Sequence, residues 1–231
     1  MSIWNEKAVI SPSLITLDMC NLESQVNELK KAGVGMLHVD ILDGHFSPSM
    51  PLGLDTVRQL RAKTDLAFDC HVMVTEPEFF VGELLDIGAE QIAFHVETAP
   101  HIDGTLNRIH AAGARAGVAL KPATPLSVLD YVLEKCDVVT LMLINPGYAQ
   151  VKGEQQTCYA ERKVMELREL IDKRGLDTRI EIDGRISPAN FEKWGNGIVD
   201  YFVCGSTCLK RDDLQGSVAK LNDLRKKILE G

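Results

Sequence analysis

Two residues with chemistry to offer sit inside the apolar stretch at 36–42, MLHVDIL. Leu37, Val39 and Ile41 alternate with His38 and Asp40. In an extended chain, side chains i and i+2 share a face. His38 and Asp40 therefore point together, away from the face of Val39 and Ile41. Burying an imidazole and a carboxylate without partners costs on the order of several kcal/mol. The pair is thus bonded to something, holds a metal, or lies on the solvated face of an edge strand. The pattern recurs at FDCHVMV (68–74), where Asp69 and His71 are spaced by two, and His95 and Glu97 end a further apolar run. Asp183 ends another, in EIDG. One histidine of this kind reads as a hydrogen-bonded core residue. His38, Asp40, His71 and Asp183 together form a mixed nitrogen and oxygen donor set. Such a set suits a divalent transition metal (zinc, iron, manganese or cobalt) and not calcium.

A second group of residues suggests an anion grip. Gly184 follows Asp183, Gly205 and Ser206 follow a late apolar run, and Gly147 follows Asn145-Pro146. Glycine exposes backbone N–H groups without side-chain obstruction, and such nests bind phosphate. Each of these glycines alone is equally a turn.

Strand-like runs and helix-like runs alternate along the whole chain. Strands are expected at 8–13, 36–42, 66–74, 91–96, 117–120, 138–144, 179–182 and 199–203. Asp18 is the expected N-cap of a helix through Lys31 that ends at Gly33. Further helices are expected at 56–62, from Glu76-Pro77 to Gly88, at 106–112, 126–134 and 159–174, from Ser187-Pro188, and at 212–229. Alternation of this kind implies parallel strands. Eight units in 231 residues imply a single (β/α)8 TIM barrel over 1–231, with a doubly wound open sheet as runner-up. A barrel places its active site at the C-terminal ends of its strands. Those ends carry Ser13; His38, Asp40 and Asp43; His71 and Met73; His95 and Glu97; Lys121; Met142 and Gly147; Asp183 and Gly184; Gly205 and Ser206. Their convergence weighs against the solvated-face reading, and the last two strand ends are where barrels commonly hold phosphate.

The formal net charge of −8 offers no electrostatic support for binding nucleic acid. No apolar run approaches a membrane span, and the N-terminal MSIWNEKAV has no signal-like apolar region. The six cysteines form no CxxC and no zinc pattern. They read as reduced thiols in a cytoplasmic protein. Trp4 and Phe79-Phe80 are candidates for a homo-oligomer contact, or for packing on the barrel's own helices.

The segments ISPSL (10–14), HVDILDGHFSPS (38–49), FDCHVMV, FHVET, ALKPATP, LMLINPG, EIDG and VCGS resemble the ribulose-phosphate 3-epimerase family, including allulose-6-phosphate 3-epimerase-like members. The likeness runs nearly end to end. It implies metal-dependent inversion of C3 of a phosphorylated ketose, foremost ribulose 5-phosphate to xylulose 5-phosphate, through a cis-enediolate. It also implies that Asp40 and Asp183 are acid and base on opposite faces, and that His38, Asp40, His71 and Asp183 are the metal ligands. Ser13 and His71 would meet the substrate, with Met73 and Met142 capping it. Gly147, Gly184, Gly205 and Ser206 fall at the substrate's phosphate end.

The chain departs from the family pattern in places. Leu42 stands where the family has methionine, Ser47 and Ser49 replace Val and Asn, and Arg185 replaces the second glycine of DGG. PGYAQVKGEQ replaces PGFGGQ, with about three residues more between the matching glycines, an inexpensive change in a loop. Lys152 in that loop is either a charge for the phosphate or a solvated side chain, and Arg185 has the same two readings. The loop changes are those at the substrate's end, so a ketohexose 6-phosphate or ketotetrose phosphate is the alternative substrate. A lyase on the same barrel would want a lysine beside the carboxylate, but Lys121 lies in a Lys-Pro turn far along the chain from Asp40. A non-catalytic sugar-phosphate sensor would have lost Asp40 or Asp183, and both are present.

Overall fold

The computed structural model describes residues 2–147, 151 and 153–231. Eight parallel strands form its interior: β1 (Val9–Pro12), β2 (Met36–Leu42), β3 (Ala67–Met73), β4 (Gln91–His95), β5 (Arg115–Leu120), β6 (Val138–Met142), β7 (Arg179–Asp183) and β8 (Tyr201–Cys204). They are hydrogen-bonded in the order β1-β8-β7-β6-β5-β4-β3-β2. A parallel bridge between Ser13 and His38 joins the two ends of that order, which closes the barrel. Around it lie α1 (Leu22–Lys31), α2 (Leu54–Arg61), α3 (Pro77–Ile87), α4 (Ile102–Ala111), α5 (Ala160–Arg174), α6 (Pro188–Trp194) and α7 (Leu214–Glu230). The open-sheet alternative is excluded.

The strands are buried on both faces, as parallel strands under helices must be. Outward residues such as Val39, Ile41, Phe68 and Cys70 pack beneath the helices in the main apolar core. Inward residues divide by depth. Val9, Met36, Ala93, Val138 and Tyr201 form an apolar floor, with Ile3 and Trp4 packed against it. The Tyr201 hydroxyl donates to the Trp4 carbonyl at 2.8 Å. Trp4 therefore belongs to the barrel's own floor, whereas Phe79 on α3 is exposed. Above the floor the interior turns polar, with Ser11, His38, Asp69, Gln91, Thr140 and Glu181 all buried. Barrel interiors are more often filled with branched apolar side chains. Here the sequence alternation His38-x-Asp40, Asp69-x-His71 and Glu181-x-Asp183 places polar groups in two successive inward layers.

Helix boundaries follow local chemistry. Pro77 opens α3, and Gly88, at φ +90°, closes it in the left-handed region. Ser187 and Asn190 cap α6 reciprocally. Two expectations change. Asp18 caps a short 3-10 turn, its carboxylate accepting from Cys20 N–H, and α1 begins only at Leu22. The segment expected as a helix at 126–134 is two 3-10 turns, Leu126–Leu129 and Leu133–Lys135. Only Leu129, Val132 and Leu133 of that stretch are buried, and Tyr131 is exposed. So short a segment with so narrow an apolar face gains little from an α-helix, and 3-10 geometry advances farther per residue.

Candidate active site

Strand register brings the chemistry together. β2 and β3 pair His38 with Asp69, Asp40 with His71 and Leu42 with Met73. β6 and β7 pair Thr140 with Glu181 and Met142 with Asp183. At the C-terminal mouth, one ligand atom from each of His38, Asp40, His71 and Asp183 lies within 4.8 Å of all the others. His38 Nε2 is 3.3 Å from Asp40 Oδ1, and His71 Nδ1 is 3.7 Å from both Asp40 Oδ1 and Asp183 Oδ2. Both imidazoles are fully buried. His38 Nε2 and His71 Nδ1 are buried without a hydrogen-bond partner. Two unpartnered imidazole nitrogens and two carboxylates aimed at one point fit a divalent cation, and this donor set is suited to a transition metal.

Each of these imidazoles is held from behind. His38 Nδ1 is 2.7 Å from Asp69 Oδ2. Gln91 Nε2 donates to the other Asp69 oxygen at 2.8 Å, and Thr140 Oγ1 donates to Glu181 at 2.8 Å. Burial raises the pKa of Asp69, but His38 beside it and the hydrogen bond from Gln91 help bring it to about 2. Burial and the Asp69 charge push the Glu181 pKa well above the usual carboxylate range. Burial works against a charge on His38, yet Asp40, Asp69 and Glu181 raise its pKa well above the usual value. Burial likewise opposes the Asp40 charge, and the flanking His38 and His71 nevertheless hold its carboxyl well below the ordinary range. The pocket thus favours positive charge at its centre. Ser13 Oγ donates to Asp40 Oδ2 at 2.6 Å and fixes that carboxylate's orientation.

On the other side, His71 Nε2 lies 3.0 Å from His95 Nε2, and His95 Nδ1 lies 2.9 Å from Glu97 Oε2. Burial lowers the pKa of His95 to about 4, so its ring is neutral. Burial alone would raise Glu97, but its hydrogen bonds from His95, Thr124 and Lys121 lower it to about 2.

A cleft opens above the cluster. Ser13, Met73, Met142, Gly147, Gly184, Gly205 and Ser206 all line it, as do Asp40 and Asp183. His71 is fully buried behind them instead of forming the cleft wall. Leu42 lines the cleft beside the two methionines. Ser47, which stands where the family pattern has Val, is buried, and Ser49 reaches the cleft. Gly147 has φ +76°, and a Cβ there would land on the Ser47 hydroxyl. Gly184 has φ +110°, and its Cβ would stand 2.9 Å from Ile144 N. Neither position accepts a side chain. Arg185 also lines the cleft, and its guanidinium donates to the Val151 carbonyl at 3.0 Å. Lys152 lies outside the described residues. The Lys121 ammonium sits 4.0 Å over the Phe46 ring and is not among the cleft's described lining residues.

Asp69, Gln91, Glu181, His95 and Glu97 were assigned no role from sequence. Their signal was present for four of them: Asp69 and Glu181 stand two residues before His71 and Asp183, on the same strand faces, and His95 and Glu97 end β4.

The closed eight-stranded barrel and the site at its C-terminal mouth define a (β/α)8 enzyme scaffold. A crystal structure of 3-keto-L-gulonate-6-phosphate decarboxylase from Vibrio cholerae superposes with a TM-score of 0.71 at 13% identity, covering 96% of this chain and 99% of that one. A crystal structure of 3-hexulose-6-phosphate synthase from Salmonella typhimurium gives 0.67 at 14% identity, covering 95% and 99%. At such identities these likenesses concern the fold alone. The model of the ribulose-phosphate 3-epimerase family matches residues 9–209. The chloroplastic ribulose-5-phosphate-3-epimerase of Arabidopsis thaliana is 36% identical over 207 residues, 89% of this chain and 73% of that protein. The ribulose-phosphate 3-epimerase of Synechocystis sp. is 33% identical over 224 residues, 96% of each chain. The chain belongs to the ribulose-phosphate 3-epimerase family, and it is a carbohydrate-phosphate epimerase. Among the described residues, no helix is long and apolar enough to cross a membrane.

Proposed function

We propose that this chain inverts C3 of a ketose phosphate, with ribulose 5-phosphate and xylulose 5-phosphate as its substrate pair, and that it does so with a divalent metal held by His38, Asp40, His71 and Asp183. The observation that carries the reading is the convergence of two buried, unpartnered imidazole nitrogens with two carboxylates at the mouth. A divalent cation bound there would act as a Lewis acid on the ketose carbonyl and hydroxyl oxygens, making the C3 proton easier to remove.

The remaining work falls to the chain's own groups. Asp40 on β2 and Asp183 on β7 stand three strands apart around the closed barrel. One carboxylate takes the C3 proton on its face, and the other delivers a proton on the opposite face. Inversion needs two such groups, because a single base returns the proton to the face it left. Ser13 keeps the Asp40 carboxylate aimed. Leu42, Met73 and Met142 present apolar surface to the cleft and exclude water from the flattened C2–C3 region. The phosphate lies toward Gly184, Gly205 and Ser206, which line the cleft after β7 and β8, where barrels commonly hold phosphate, and Arg185 adds a positive charge at that end.

The test is incubation of metal-replete and then chelated protein with ribulose 5-phosphate in deuterated water. Deuterium at C3 accompanied by xylulose 5-phosphate, lost on chelation and restored by metal, is the expected result. Faster exchange of allulose 6-phosphate or a ketotetrose phosphate would reassign the substrate. Absence of exchange from every ketose phosphate, with metal bound, overturns the reading. The second substrate stays in the test because Arg185, at φ +52°, stands where the family pattern has glycine.

A further inference from the structure

We propose that Glu97, acting through His95, is a positioning residue that sets which nitrogen of His71 is bare, and thereby makes His71 a metal ligand through Nδ1. The inference rests on the metal reading above, yet its central claim concerns the protein alone.

The proton placement follows from what each partner can and cannot give. Glu97 Oε1 accepts from Lys121 N–H at 2.8 Å and from the Thr124 hydroxyl. Its Oε2 faces His95 Nδ1 at 2.9 Å. An ionised carboxylate only accepts, so the proton of that bond sits on His95 Nδ1. A neutral imidazole with Nδ1–H has a bare Nε2. His95 Nε2 is 3.0 Å from His71 Nε2, and two ring nitrogens so close share one proton. Since His95 must accept, His71 Nε2 donates. The lone pair of His71 is left on Nδ1, the nitrogen without a hydrogen-bond partner that stands 3.7 Å from Asp40 and Asp183. The reverse order would put an N–H bond where a cation must bind. His38 is oriented by one direct contact to Asp69, whereas His71 is oriented through a relay of two residues. The Phe46 ring against His95, with centroids 4.7 Å apart, restricts the middle link.

Glu97→Gln is the incisive change because its amide cannot choose freely. The Lys121 backbone N–H can only donate, so the amide oxygen must occupy the Oε1 position. The NH2 group then points at His95 Nδ1. That nitrogen must become bare, its proton moves to Nε2, and His71 in turn gives up its Nε2 proton and carries one on Nδ1. A near-isosteric substitution thereby reverses the whole relay. Glu97→Ala removes the constraint without imposing the wrong order, so the smaller side chain should do less harm. A merely structural Glu97 would give the opposite ranking.

Two measurements decide it. Metal affinity is measured by competition with a chromophoric chelator on the full chain. The dissociation constant is expected to rise about 10–100-fold in Glu97→Gln, the range typical for the orienting partner of a ligand histidine, and less in Glu97→Ala. Ring nitrogen shifts of His71, read by 15N NMR on metal-free protein at alkaline pH, should show bare Nδ1 in the wild type and protonated Nδ1 in Glu97→Gln. Wild-type affinity in Glu97→Gln, a larger loss in Glu97→Ala, or Nδ1–H on His71 in the wild type overturns the proposal. If the wild type binds no metal at all, the metal reading fails, and the NMR result still decides the relay.

Discussion

The deep wall, meaning the buried layer at and behind the cleft lining, and the cleft's outer rim are built differently. In the deep wall, His38, Asp40 and His71 come from the interiors of β2 and β3 and are buried to 2% exposure or less. Their neighbours Asp69, Gln91, Thr140 and Glu181 are buried as well. A buried charged network is tolerable only when its members are partnered, and strand register supplies the partners. The rim comes from the loops after β6, β7 and β8, with glycines at the cleft and one arginine in the left-handed region. Changes of type in the deep wall break chemistry that neighbours depend on. Rim changes are expected to alter which molecule is held and to leave the wall intact.

The sharpest way to break this contrast is to neutralise each carboxylate in turn. Asp40→Asn and Asp183→Asn are each expected to lower epimerisation by roughly 10²–10⁴-fold, the usual contribution of a placed acid or base. The two variants should differ in which epimer still exchanges its C3 proton with deuterated water, because each retains the group on one face. Wild-type turnover in either variant, with folding confirmed by circular dichroism, removes that carboxylate from the mechanism.

The rim should respond more gently. Arg185→Gly removes a charged donor from the cleft, and hydrogen bonds to charged groups contribute about 1.5–3 kcal/mol. KM for the phosphorylated ketose is expected to rise by about tenfold or more with kcat little changed. Stability should not fall by much, since glycine relieves the φ +52° backbone at that position. Steady-state kinetics together with a thermal melt check both halves. A fall in kcat at unchanged KM would place Arg185 with the deep wall and erase the distinction.

Much of the deep wall was legible in the sequence because strand alternation is a local rule. His38 and Asp40, spaced by two between apolar residues, declare a shared face without any tertiary information. The same rule reaches Asp69 with His71 and Glu181 with Asp183. The rule does not say who meets whom across strands. That His38 faces Asp69, and that Glu181 lies beside them, depend on register and burial, which arise only when the barrel closes. His95 and Glu97 stood out as strand-end polar residues, but the relay they form required the distance between β3 and β4 side chains. The stretch after β5 misled for a related reason. Leu126, Leu129 and Leu133 have helical spacing, yet the buried face they make is too small to hold an α-helix.

Asp43 sits at the seam between the two regions, and it offers the smallest and most local test. Its Oδ1 accepts from His45 N–H and Phe46 N–H, and its Oδ2 from Thr75 N–H and the Thr75 hydroxyl, all at 2.8 Å. It therefore ties the loop after β2 to the end of β3. Desolvation raises its pKa, but these donors together bring it down to about 2, against about 3.9 in an unfolded chain. A depressed carboxylate contributes stability fully above the unfolded value, and loses that contribution as pH falls through the folded one. In Asp43→Asn, the amide oxygen can still accept from His45 and Phe46, but the NH2 group opposes the Thr75 N–H. Asp43→Asn is expected to be less stable by about 1 kcal/mol near pH 6, a modest figure because the site is partly solvated. The gap should narrow between about pH 4 and pH 2, where the wild-type carboxylate takes up its proton. Urea melts of both proteins at pH 6 and pH 3 read this directly. A gap that is the same at both pH values would mean that the loop is held by shape alone and not by the charge on Asp43.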